Sequence, residues 1–167
     1  MIIITQIFGI AAMIFLFMLY QQQNRKHLLV CKLCADFFWS VHYLFLGAYG
    51  GMIPNFVGIF RELVFVNREN KKWANHIIWP LVFIILNWVP GLITYKTAVN
   101  LLPITASSCV TLSLWCKKPK ITKIISVPVS IMFMIYDVFV HSWIGFINES
   151  IALSSIIFYF IKEKRNV

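Results

Sequence analysis

Long apolar runs recur along the chain, broken by short polar segments that carry most of the charge. A helical span needs about 20 mostly apolar residues to cross the hydrocarbon of a bilayer. The runs predict an all-α, polytopic membrane protein of about seven transmembrane helices, at residues 3–20, 33–49, 53–66, 77–92, 98–115, 124–140 and 144–161. The third run is the shortest, so Gly50, Gly51 and Met52 are expected to extend it, or the bilayer to thin around it.

Composition agrees with lipid as the solvent. Hydrophobic residues make up 60% of the chain and charged residues 13%, against about 25% charged in a soluble domain, and the mean hydropathy is +0.79. The net charge of +9 suggests nucleic acid at first sight, but its distribution argues against that partner. Basic residues cluster between apolar runs: Arg25 and Lys26; Arg68, Lys71 and Lys72; Lys117, Lys118, Lys120 and Lys123; Lys162, Lys164 and Arg165. Of the 15 Lys and Arg, only Arg61 and Lys96 fall away from one common side. By the positive-inside rule that side is cytoplasmic, which places the N-terminus outside and the C-terminus inside. The first run lacks the basic start and small-residue cleavage site of a signal peptide and reads as a retained helix. Cys31 and Cys34 form a C-x-x-C after His27, but no second pair completes a zinc site, and reduced thiols are expected.

The chain also suggests an internal duplication. Shifting residues 42–68 by 94 lays Phe45 on Phe139, Tyr49 on Trp143, Gly51 on Gly145 and Phe65 on Tyr159 without a gap. A shift of 97 lays Gln6 on Pro103 and Gly9 on Ala106. Two parallel three-helix repeats joined by a linker helix (3+1+3) follow, with boundaries at 1–70, 71–97 and 98–167.

Gln6 near the start, His42 with Gly47 in the second helix, Arg61 in the third, Leu101-Leu102-Pro103 and Glu149 match the pattern of a known family. On these residues the chain resembles the YgjV-like family of bacterial inner-membrane proteins over nearly its whole length. Gly58 stands where that family tends to have Asn, and Tyr136-Asp137 where it tends to have His-Asn. The resemblance implies a multi-pass protein of the inner (plasma) membrane. The 3+1+3 layout is similar to that of SWEET and PQ-loop proteins, an analogy of architecture alone.

Ionised side chains inside a membrane cost about 2.5–3.5 kcal/mol on insertion scales and need a partner or a cavity. Arg61 and Asp36 are predicted at similar depth, so Arg61 is either one half of a structural salt bridge, or a clamp for an anionic or hydroxylated solute or one side of an inner gate. Glu62 is turned about 100° from Arg61 and is expected to reach for the cytoplasmic interface. Asp137 and His141, at i and i+4, are expected to stack on one helix face, with Glu149 near them and Asn55 as its repeat mate. Together with Gln6 and His42 these residues predict a polar cleft opening outward, with two carboxylates that repel unless one holds a proton. The alternative leaves His141 and Glu149 at the water interface and His42 buried on a backbone carbonyl. Ser107, Ser108 and Thr111 read as a helix-packing patch, Trp79 and Trp143 as interfacial anchors, and Pro90, Pro103 and Pro128 as kinks.

The substrate-binding candidates are therefore Gln6, His42, Asn55, Arg61, Asp137 and Glu149. Catalytic and metal-ligating residues, cofactors and nucleic acid are not expected. No P-loop, H-E-x-x-H or G-x-S-x-G pattern occurs, so the chain is not read as an enzyme. A transporter or facilitator of a small polar solute is the leading expectation, with membrane lipid as its other partner. The alternative is a non-transporting sensor or assembly partner. A haem site on His42 and His141 is disfavoured because the two lie at different depths.

Overall fold

The computed structural model describes residues 2–22, 24–116 and 119–165. Lys117 and Lys118 of the third basic cluster lie outside the described residues, as do the side chains of Lys120, Tyr159, Lys162, Lys164 and Arg165. Seven α-helices and no strand occur among the described residues: α1 (Ile2–Gln21), α2 (Arg25–Phe45), α3 (Tyr49–Asn67), α4 (Ile78–Ile93), α5 (Leu101–Trp115), α6 (Pro119–Phe139) and α7 (Trp143–Arg165). Short 3-10 turns at Lys72–Asn75 and Ala98–Asn100 lead into α4 and α5.

Two helices begin well before the apolar runs that announce them. Asn24 caps α2, its side chain accepting from the Lys26 amide at 2.8 Å, so the helix starts at Arg25 rather than at residue 33. A proline at the first helical position opens α6, ahead of the expected residue 124. Hydropathy marks where a helix enters hydrocarbon; caps mark where it begins. Similarly, α3 takes in Gly50 and Gly51. Pro54, Pro90 and Pro128 sit inside helices, but Pro103 is the third residue of α5, where a missing amide costs little, and is no interior kink.

Arg25–Phe45, Ala98–Trp115 and Ile121–Phe139 are long and apolar enough to cross a membrane, with mean hydropathies of 1.4, 1.4 and 1.6. Ile3–Leu19, Ile78–Ile93 and Trp143–Phe158 are shorter apolar helices. The outer surface carries Ile3, Ile7, Ile14, Leu81, Ile85, Ile151 and Phe158, while Asp36, Arg61, Glu62, Asn87 and Asp137 are buried. Apolar outside and charged inside inverts the arrangement of a water-soluble protein and suits lipid.

Neighbouring helices close a ring in the order α1, α2, α3, α5, α6, α7 and back to α1. Helix α4 packs outside it, on α3 and α5, where Asn87 Nδ2 donates to Ser107 Oγ at 3.3 Å and Trp88 Nε1 to Ser108 Oγ at 3.1 Å. One apolar cluster, with Leu29, Val64, Phe65, Phe83 and Leu114, binds α2, α3, α4 and α5; another, with Ala12, Ala35, Trp39, Tyr43 and Tyr136, binds α1, α2 and α6.

Candidate functional site

The ring encloses a cavity of about 430 Å³. Gln22, Arg25, Thr122 and Lys123 stand where it meets the end at which α1 stops and α2 and α6 start, the end rich in Lys and Arg. Farther in, its walls carry Lys32, Asp36, Trp39, Tyr43, Asn55, Arg61, Ser107, Ser130, Phe133 and Glu149.

A chain of ion pairs forms one wall. Arg61 Nη2 reaches Asp36 Oδ2 at 3.4 Å and Glu62 Oε1 at 2.9 Å, its Nε donates to the same Glu62 oxygen at 3.0 Å, and Nη1 donates to Ser107 Oγ at 3.1 Å and Thr111 Oγ1 at 3.0 Å. Lys32, one turn before Asp36, holds the other oxygen of that carboxylate. Gly58 makes the approach possible, because a Cβ there would collide with Asp36 Oδ2. The guanidinium is held by α2, α3 and α5, so the expected pairing of Arg61 with Asp36 forms and Glu62 joins it. Glu62 is fully buried against it and does not reach for the interface, since a buried guanidinium needs more than one acceptor.

The opposite end is closed. His42 Nδ1 lies 2.8 Å from Thr5 O and Nε2 lies 2.9 Å from Ser142 Oγ; a Cβ on Gly9 would sit 2.9 Å from that ring. Tyr43 OH donates to Asp137 Oδ1 at 2.7 Å. Tyr136 OH accepts from the Gly51 amide at 2.7 Å and donates to Ala48 O at 3.2 Å. These bonds draw α2 and α3 onto α6 and the start of α7, where Gly51 and Gly145 leave no room for a side chain beside Tyr136 and Asp137.

A family model for Imp-YgjV, a bacterial inner membrane protein, matches residues 3–166. The chain belongs to that family. No functionally curated protein and no solved structure matches it.

In this Imp-YgjV protein the six residues singled out from sequence divide between two places. Asn55, Arg61 and Glu149 line the cavity. His42 and Asp137 belong to the closed end, and Gln6 of α1 is half-buried, its Oε1 without a hydrogen-bond partner among the described residues. The cleft expected at the end poor in Lys and Arg is thus corrected: the cavity opens at the basic end, and the hydrogen bonds of His42, Tyr43 and Tyr136 bridge the other. The stacking of Asp137 on His141 is also corrected. Helix α6 ends at Phe139, and His141 is an exposed turn residue with φ of 56°. His42 does rest on a backbone carbonyl, and Ser107 and Thr111 do pack helices, through Arg61. Sequence reasoning missed Trp39, Tyr43, Ser130, Phe133 and Ser142, which look like ordinary core residues; the 94-residue offset from Asp137 pointed to Tyr43.

Proposed function

We propose that this Imp-YgjV protein is a seven-span carrier or facilitator of a small polar solute. One observation carries the reading: a solute-sized cavity open at one end of the ring and sealed at the other by hydrogen bonds between side chains. A carrier works by exposing one site to each side in turn, and a reversible polar seal opposite an open mouth is what a state open to one side needs.

Two three-helix repeats, 1–70 and 98–167, joined through 71–97, are part of the same reading. Features of the two halves recur 94 positions apart. Gly47 and His141 share a left-handed backbone, with φ of 66° and 56°. The amide of Ala48 bonds Tyr43 O at 2.9 Å as that of Ser142 bonds Asp137 O at 2.8 Å. Lys32 and Ser126, Asp36 and Ser130, Trp39 and Phe133, and Asn55 and Glu149 line the cavity in such pairs. Tyr43 and Asp137, also 94 apart, touch each other. Equivalent positions in contact lie at a pseudo-two-fold axis, so these pairs support repeats related about an axis through the cavity. The order α1, α2, α3 around the ring rests on this chain alone and borrows nothing from the SWEET analogy.

The basic end is taken as cytoplasmic, with the N-terminus outside and the C-terminus inside. Counterflow in proteoliposomes across amines, amino acids, sugars and organic acids tests the reading. Saturable exchange of one class, lost in a folded Glu149→Gln variant, is expected. A folded wild type that moves nothing in the panel favours a non-transporting sensor or assembly partner.

A further inference from the structure

The charges along the cavity are not equally committed. Arg61 is saturated by Glu62, Asp36, Ser107 and Thr111. Lys32 is held by Asp36, and Arg25 at the mouth by Glu69 at 3.0 Å. Farther in than Lys123 at the mouth, an anionic solute would have to break one of these pairs. Lys32 and Arg61 together balance Asp36 and Glu62, which leaves Glu149 as the cavity carboxylate outside the ion-pair chain. Its Oε1 accepts from Asn148 Nδ2 at 3.0 Å, but among the described residues no basic nitrogen lies within 4.0 Å of it. Asp137, behind Tyr43, likewise has no basic partner within that distance and adds no positive charge.

The same cavity carries aromatic side chains in its walls. Trp39 lies against Tyr43, with ring centroids 5.7 Å apart and planes at 28°, and Phe133 lines the wall 94 positions on. Asn55, also in the lining, donates one amide hydrogen to Gly51 O at 2.8 Å, which leaves its carbonyl oxygen to accept from a ligand hydroxyl. A carboxylate without an ion pair, in a cavity also lined by indole and phenyl rings, suits an organic cation, because ring quadrupoles and charge act in the same sense. A volume of about 430 Å³ is ample for a small ligand.

We infer that the inner end of this cavity is a site for a small monovalent organic cation, an amine or quaternary ammonium bearing a hydroxyl, held by Glu149 between Trp39 and Phe133 with Asn55 taking the hydroxyl. The inference deepens the carrier reading and rests on it for its physiological meaning, but binding tests it separately. Choline and ethanolamine are titrated into the wild type in lipid nanodiscs by calorimetry, beside 3,3-dimethylbutan-1-ol, the uncharged isostere of choline, and glucose and acetate. Saturable binding of choline or ethanolamine is expected, with the uncharged alcohol weaker by about tenfold or more. Glu149→Gln is expected to weaken the cation by a similar factor at an unchanged unfolding temperature, and Phe133→Ala to weaken it and narrow its preference over the alcohol. Failure of both cations to bind, equal binding of the isostere, or preference for glucose or acetate overturns the inference; the wild-type comparisons decide even if a variant does not fold. Cation binding without counterflow leaves the site standing and removes the carrier reading, whereas glucose counterflow without cation binding does the reverse.

Discussion

At the scale of residues, the economy of charge in this bundle turns on Arg61. Asp36 and Glu62 are buried and both depend on it, and Ser107 and Thr111 complete its shell. Removing one member of a buried network strands the others, at a cost of about 3–5 kcal/mol. Arg61→Ala is therefore expected to lower stability by about that much, read as a fall in the detergent unfolding midpoint. Arg61→Lys keeps the charge but not the planar fork and should recover only part of the loss. An Arg61→Ala protein as stable as the wild type would show that the network does not hold the helices together. The pairing of Arg61 with Asp36 was legible from depth along two apolar runs. Glu62 was not, because a side chain about 100° round a helix can turn either way until its neighbours are known.

At the scale of elements, the α2–α3 and α6–α7 connections use the same turn in different chemistry. Gly47 adopts its φ of 66° freely, and nothing lies within 4 Å of where its Cβ would be. His141 adopts 56° with a side chain attached, a conformation that costs an L-residue about 1–2 kcal/mol. His141→Gly is expected to gain up to about 1 kcal/mol, reduced by the greater freedom of glycine in the unfolded chain, and Gly47→Ala to lose about 1 kcal/mol. Paired thermal melts of the two variants check the opposite signs; a neutral Gly47→Ala would mean that the turn relaxes into an ordinary conformation. The turn around residues 141–142 falls in the expected gap between apolar runs, but the first turn lies at residues 46–48 rather than at Gly50-Gly51, and the sequence put both Gly47 and His141 on helices because periodicity alone does not reveal where a helix stops.

At the scale of the molecule, the proposed topology and the position of the cavity predict one pattern of access. Ser130 lines the cavity and is buried from the outside of the bundle. With Cys31, Cys34, Cys109 and Cys116 replaced, a Ser130→Cys protein is expected to react with a charged, membrane-impermeant maleimide in inverted vesicles, where the cytoplasmic face is outward. It should react far less in right-side-out cells. The reverse preference would invert the orientation, and equal labelling from both sides would mean that the seal at His42, Tyr43 and Tyr136 does not hold.

Hydropathy and the sign of the loop charges already determined that this is a helical membrane protein and which helix ends share a side, because each is a property of a segment meeting lipid or water, whatever its neighbours. Gln6, His42, Asn55, Arg61, Asp137 and Glu149 could be recognised as polar groups in need of partners for the same reason. Which partners they found was decided only by tertiary structure. His42 bonds to Thr5 and Ser142, Tyr43 to Asp137, and Arg61 across to α5, contacts between segments 37 to 100 residues apart. Such contacts depend on the rotation and depth at which separate helices meet, and one-dimensional periodicity leaves both open. That is why the polar residues were visible in advance, while the end of the bundle at which the cavity opens was not.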